Sequence, residues 1–134
     1  MAGYSGTPLS KKLGIGADST VHIVHEPTGY RALLTPLPDG VEFAPRLSST
    51  ADVVHVFVTS ASELEKQLPA IRKKLRSDAA VWVSWPKKAS KVRTDVGEDD
   101  VRRVALPLGL VDVKVCAVDE VWSGLKLVVR KALR

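Results

Sequence analysis

Runs of apolar residues, broken by proline and glycine, divide the chain into short segments of two different periods. The clearest run, Asp52–Thr59, holds Val53, Val54, Val56, Phe57 and Val58 with almost no polar alternation. A strand that is apolar on both faces belongs in a parallel sheet covered on both sides. Ala79–Trp85 has the same character. Between these two runs the period becomes helical: Leu64, Leu68, Ile71 and Leu75 recur on one face. Ser60-Ala61-Ser62-Glu63 precedes them, a capping-box pattern in which the Ser60 and Glu63 side chains each satisfy the other end of the first turn. Pro69 removes one backbone donor inside this helix and predicts a kink.

The remaining segments are shorter. Thr7-Pro8 opens a helix ending near Leu13, with Gly14 as its exit. Thr20–His25 reads as a β-branched strand. Thr28–Leu34 reads as a helix kept short by Pro27, Gly29 and Pro36, and Val41–Phe43 as a brief edge strand. After a polar, basic loop at 86–94, a helix from about Glu98 turns Val101, Val104 and Leu108 inward, and Gly109, or Pro107 before it, ends it. Val111–Val118 and Leu125–Arg130 are strands joined by the short loop 119–124, hence antiparallel neighbours. This alternation predicts an α/β fold: a three-layer, Rossmann-like, mostly parallel sheet with a C-terminal antiparallel hairpin. No repeat, low-complexity tract or linker divides the sequence, so residues 1–134 read as one domain, with 1–18 as an N-terminal arm carrying the first short helix.

Composition narrows the setting. A chain of 134 residues buries enough surface for one core without staples. The single cysteine, Cys116, excludes an intrachain disulfide and a multi-cysteine zinc site, which fits a reducing compartment. Neither a signal peptide nor a membrane span is visible in the sequence, and a cytoplasmic location is expected. The net charge of +5 favours an acidic partner, but the bias is mild, Asp and Glu are interspersed through most of the chain, and a solvated basic surface is the better account of it.

Three segments are distinctive: Tyr4-Ser5-Gly6-Thr7-Pro8-Leu9 with Lys11-Lys12-Leu13-Gly14-Ile15, Trp85-Pro86-Lys87-Lys88-Ala89-Ser90, and the stretch from Val115 through Asp119, Glu120 and Trp122 to Lys126. Together they resemble a family of small bacterial proteins, common in actinobacteria, built on a domain of unknown function. That resemblance implies a stand-alone bacterial domain and carries over no catalytic residue. The terminal hairpin, by topology alone, resembles the end of a class I methyltransferase domain.

Candidate chemistry concentrates at strand ends. A dinucleotide or S-adenosylmethionine site calls for a glycine-rich turn after the first strand, so that backbone can approach the ligand. Here the turn is His25-Glu26-Pro27-Thr28-Gly29-Tyr30, with one glycine and a proline that removes a donor. Binding of NAD or S-adenosylmethionine in the usual mode is therefore not expected, although Glu42, after the second strand, is placed to hold a ribose. The loop 85–93 follows the carboxyl end of a central strand, where open α/β sheets bind ligands. Lys87, Lys88, Lys91 and Arg93 with the Ser90 hydroxyl suit a phosphate or carboxylate; the alternative is a solvated basic loop with Trp85 in the core. Lys11 and Lys12 join that site if the N-terminal arm folds over the sheet. Asp119 and Glu120, beside Trp122, form a secondary acid–base candidate, although adjacent residues point apart and Trp122 suits packing.

Other readings are weaker. His22 and His25, on one strand at an odd spacing, face opposite sides, and with His55 they offer no metal-ligand spacing. Ser60 lacks a glycine-flanked nucleophile elbow. Cys116 is expected to be buried and inert. Arg72, Lys73, Lys74 and Arg76 end a helix whose dipole they complement, and the few aromatic residues do not suit nucleic-acid binding. These observations favour a non-catalytic binding or regulatory module for an anionic small molecule or a protein partner. The alternatives are a divergent methyltransferase-like enzyme and a structural subunit of a complex.

Overall fold

The computed structural model describes residues 7–134. Six strands, β1 (Thr20–Val24), β2 (Glu42–Phe43), β3 (Val53–Phe57), β4 (Ala80–Pro86), β5 (Leu110–Ala117) and β6 (Trp122–Val129), form one sheet in the order β2-β1-β3-β4-β6-β5. β1 to β4 are parallel, β6 runs antiparallel to β4, and β5 closes the sheet as the other arm of the hairpin. The α/β, mostly parallel, Rossmann-like architecture with its terminal hairpin is the one the hydrophobic pattern predicts.

Alternation along β3 and β4 sorts two cores onto opposite faces. Val54, Val56 and Val58 with Val81 and Val83 meet α3 (Ala61–Lys74) through Leu64, Leu68 and Ile71, and α4 (Glu98–Ala105) through Val101 and Ala105. Val53, Phe57 and Trp82 face the other way, toward Leu13, Ile15, Tyr30 and Leu34. This second face is covered by the N-terminal arm, with its single turn α1 (Leu9–Lys12), and by the equally short α2 (Tyr30–Leu33). The Trp82 indole N–H donates to the Leu13 carbonyl at 2.9 Å, so the arm folds over the sheet. Tyr4, Ser5 and Gly6 of the first distinctive segment lie outside the described residues.

Local rules explain most boundaries. Ser60 and Glu63 form the expected capping box, and α3 continues through Pro69 to Lys74. Leu106–Leu108 tightens into a 3-10 turn after α4, and Gly109 at φ +80° ends it. Three expectations are corrected. Pro8 is the N-cap of α1 and not its first helical residue. β6 begins at Trp122, three residues earlier than the apolar pattern suggested, because Gly124 pairs with Ser84. A Cβ at Gly124 would lie 3.2 Å from both Ser84 Oγ and Trp82 Cε3, so glycine permits this close approach. β1 ends at Val24, and His25 leaves the strand at φ +57°.

Candidate functional site

The chain leaves β1 for β2 on one side and returns to β3 on the other. The carboxyl ends of β1 and β3 therefore flank a topological switch point, the place where open α/β sheets open a crevice for ligands. Two turns stand at these strand ends, 25–29 after β1 and 58–63 after β3. In the first, His25 (φ +57°) and Gly29 (φ +82°) are both left-handed. That geometry directs the His25 ring toward β3, with Nδ1 3.1 Å from the Phe57 carbonyl oxygen and 3.5 Å from Glu63 Oε2. Glu26 is ion-paired with Arg31 at 3.0 Å, and the Arg31 guanidinium lies 4.3 Å from the centre of the Phe43 ring.

The second turn is rich in carboxylate contacts. Glu63 Oε1 accepts from the Thr59 amide at 2.9 Å, the Thr59 hydroxyl at 3.0 Å and the Ser60 amide at 3.2 Å. The Thr59 amide above all holds this carboxyl below its ordinary range, so Glu63 is an anion at neutral pH. Asp95 Oδ1 accepts from the Ala61 amide at 2.6 Å, and Thr94 donates to the Thr59 carbonyl at 2.8 Å. The positive end of α3 is thus already answered by the chain's own carboxylates. Beyond β4 a cleft of about 320 Å³ opens, walled by Trp85, Pro86, Lys88, Asp95, Val96 and Asp100.

The candidates from the sequence fall into separate groups. Lys87 is half-buried; its Nζ donates to the Asp119 carbonyl at 2.7 Å and its amide to the Val121 carbonyl at 2.7 Å. Asp119 Oδ1 accepts from the Val121 and Trp122 amides, each at 2.8 Å, and so shapes the hairpin turn. Trp122 packs edge-on against Phe57 at 5.0 Å, and Glu120 is exposed at the tip of the turn. Lys87, Asp119 and Trp122, read from distant segments, therefore meet. Ser90 closes its own 3-10 turn by donating to the Lys87 carbonyl at 2.6 Å. Lys88 borders the cleft, and Lys91 and Arg93 are exposed. Lys11 is exposed on the arm, while the Lys12 carbonyl accepts from Lys114 Nζ at 3.5 Å, placing that end of α1 beside β5.

Several site expectations change. Glu42 opens β2 opposite Thr20, at the amino end of the parallel strands, and so lies away from the crevice. Cys116 is half-buried and not fully enclosed, and burial pushes its thiol up. Among the described residues, no group of three or more His, Cys, Asp or Glu side chains is placed to hold a metal ion, and no helix is long and apolar enough to cross a membrane. His25, Thr59 and Glu63 were missed as site residues. The hint was the His-Glu-Pro-Thr-Gly turn itself, which holds two left-handed positions.

A buried polar line lies beneath this edge, on the face of the arm. His55, on β3, is fully enclosed; Tyr30 Oη is 2.5 Å from its Nδ1 and Ser84 Oγ 2.7 Å from its Nε2. Burial pushes the His55 imidazole down to about 3 and the Tyr30 phenol far up, so both are neutral.

No family model matches the sequence, and no curated protein matches it. Solved structures do share the fold. A SAM-dependent methyltransferase from Aquifex aeolicus superposes with a TM-score of 0.58 at 15% identity, over 90% of this chain and 87% of that one. The precorrin-6y C5,15-methyltransferase of Geobacter metallireducens gives 0.55 at 10% identity, over 89% and 84%. Fibrillarin from Aeropyrum pernix, with natively bound S-adenosyl-L-methionine, gives 0.56 at 14% identity, over 90% and 73%.

These likenesses overturn two expectations. These three structures are methyltransferases by fold likeness, which favours the methyltransferase-like alternative over a non-catalytic binding module. The expectation against S-adenosylmethionine binding fails on the same finding, since fibrillarin holds that molecule on this architecture. The turn itself departs from a glycine count: His25 adopts the left-handed backbone region that glycine most readily supplies.

Proposed function

We propose that this chain binds S-adenosylmethionine at the switch point between β1 and β3 and is a methyltransferase-like enzyme. The observation that carries this reading is the sheet itself: its antiparallel β6 lies between β4 and β5. The match to methyltransferase structures spans roughly nine-tenths of the chain. The residues at the edge suit a cationic cofactor. The left-handed turn at His25 and Gly29 bends backbone around the crevice, and Glu63 and Asp95 supply negative charge at its rim. Bound there, the sulfonium supplies an electrophilic methyl group. Trp122, partly exposed and in edge-to-face contact with the buried Phe57 at 5.0 Å, stands beside the β3 end. The cleft bordered by Trp85, Lys88 and Asp95 has room for part of a methyl acceptor next to that edge.

Isothermal titration calorimetry with S-adenosylhomocysteine tests the reading. Saturable one-to-one binding is the expected result, with a thermal stabilisation of about 2.7 kcal/mol at a hundredfold excess over Kd. Gly29→Val, which forces a β-branched residue into the left-handed region, should weaken it. An absence of heat and of stabilisation at millimolar ligand would end the proposal.

A further inference from the structure

We infer that His25 and Glu63 form a general-base dyad at the crevice, serving a methyl acceptor that must lose a proton, an O–H or N–H nucleophile; this rests on the methyltransferase reading above.

The assignment starts from the backbone. A histidine at φ +57° is uncommon, and such positions persist where the surrounding structure holds them and concentrate at functional sites. Here the left-handed turn aims the ring across the switch point. Nδ1 lies 3.1 Å from the Phe57 carbonyl oxygen, an atom that only accepts. Nδ1 therefore carries the proton of the neutral ring, and Nε2 keeps its lone pair. The side chain is 42% exposed, so a ligand in the crevice can reach it.

Glu63 completes the arrangement. One carboxylate oxygen, Oε1, is fixed by the Thr59 amide and hydroxyl and the Ser60 amide, while Oε2 is 3.5 Å from His25 Nδ1. A capping box needs only the first oxygen. The second faces the imidazole as the orienting carboxylate of a base–orienter pair does, and stabilises the imidazolium when Nε2 gains a proton. The other charges nearby, Glu26 and Arg31 on the turn and α2, are paired with each other. His22 and His55 lack this combination. His22 is 9% exposed with Nδ1 on the Ala44 carbonyl, and both nitrogens of His55 are engaged in the core.

The proton balance follows. As the acceptor's lone pair bonds the methyl carbon, the carbon–sulfur electron pair stays on sulfur. The acceptor's proton passes to His25 Nε2, and from there to water. The positive charge lost from sulfur is thus carried briefly by an imidazolium beside Glu63.

Imidazole nitrogen NMR on the full chain tests the dyad without a substrate. The expected result is an Nδ1–H tautomer for neutral His25, and an Nδ1–H population that falls in Glu63→Gln, which keeps the capping box but removes the charge. A dominant Nε2–H tautomer, or a tautomer balance that Glu63→Gln leaves unchanged, would overturn it. Diethyl pyrocarbonate labelling adds the link to the crevice. S-Adenosylhomocysteine should slow modification of His25. Unslowed labelling by a ligand that does bind would also overturn the dyad. If the wild-type chain binds no S-adenosylhomocysteine, the methyltransferase reading fails, while the tautomer and its response to Glu63→Gln still decide whether the pair is coupled.

Discussion

The two faces of the sheet are built by different means. Under α3 and α4 the contacts are apolar: Val54, Val56, Val81 and Val83 against Leu64, Leu68, Ile71 and Val101. On the other face two single-turn helices and an irregular arm cover Trp82 and Phe57, and a polar line of Tyr30, His55 and Ser84 runs through the core. Non-directional burial suffices for the first face. The second has little regular structure to fix its register, and specific hydrogen bonds fix it instead: the indole on Leu13 and the imidazole between two hydroxyls. The face held by specific contacts also bears Phe57, whose carbonyl anchors His25 at the crevice.

The largest expected effect breaks the second face outright. Trp82→Ala removes the buried indole and the bond that anchors the arm, and should cost about 3–5 kcal/mol in urea unfolding. Leu68→Ala on the apolar face should cost about 2–5 kcal/mol. Limited proteolysis separates the two, since only Trp82→Ala should expose cleavage sites within residues 7–18.

His55→Leu sharpens the contrast. It leaves the Tyr30 and Ser84 hydroxyls buried and unpaired, at about 1–3 kcal/mol each. Adding Tyr30→Phe and Ser84→Ala should recover much of that loss, because the polar line is then replaced as a whole. A triple variant less stable than His55→Leu alone would show that the line is not one unit.

The same histidine predicts a pH dependence confined to one face. Its imidazole is held at about 3 in the folded chain against 6.5 when exposed, so the unfolded chain binds the extra proton between those values. Stability is full above pH 6.5 and falls as pH drops through that window, by about 1.4 kcal/mol per unit. Melting curves from pH 7 to pH 4.5, above the range of the lowered carboxyls Asp52 and Glu63, should show the slope in the wild type and a shallower one in the triple variant.

The smallest effects lie at the edges. Ser60→Ala should cost about 1 kcal/mol by removing the cap of α3. Lys88→Ala, an exposed residue beside the cleft, should change stability by less than about 0.5 kcal/mol.

The apolar face was the legible one. Continuous valine runs, the leucine period of α3 and the Ser60–Glu63 box each follow from neighbours within one segment, and they fixed β3, β4 and α3 nearly to the residue. The other face depends on pairs far apart along the chain. Trp82 and Leu13 are 69 positions apart, and Tyr30 and His55 are 25 apart. No periodicity links such residues. The candidate site shows the same division. Loop 86–94 is legible as the connection after a strand end, whereas His25 reads as the last residue of a strand, and only its left-handed backbone brings it to Glu63. Glu42 failed for a related reason: it stands within the two-residue strand β2 and not beyond its end, and the parallel register sets it opposite Thr20, at the amino end of the strands.

The most direct test of the account is an amide NMR titration of the full chain with S-adenosylhomocysteine. Binding at the switch point predicts shifts that cluster in residues 25–29 and 58–63, with little change at Lys131 or along β5. Shifts confined to Lys88, Lys91 and Arg93, or none at saturating ligand, would contradict it.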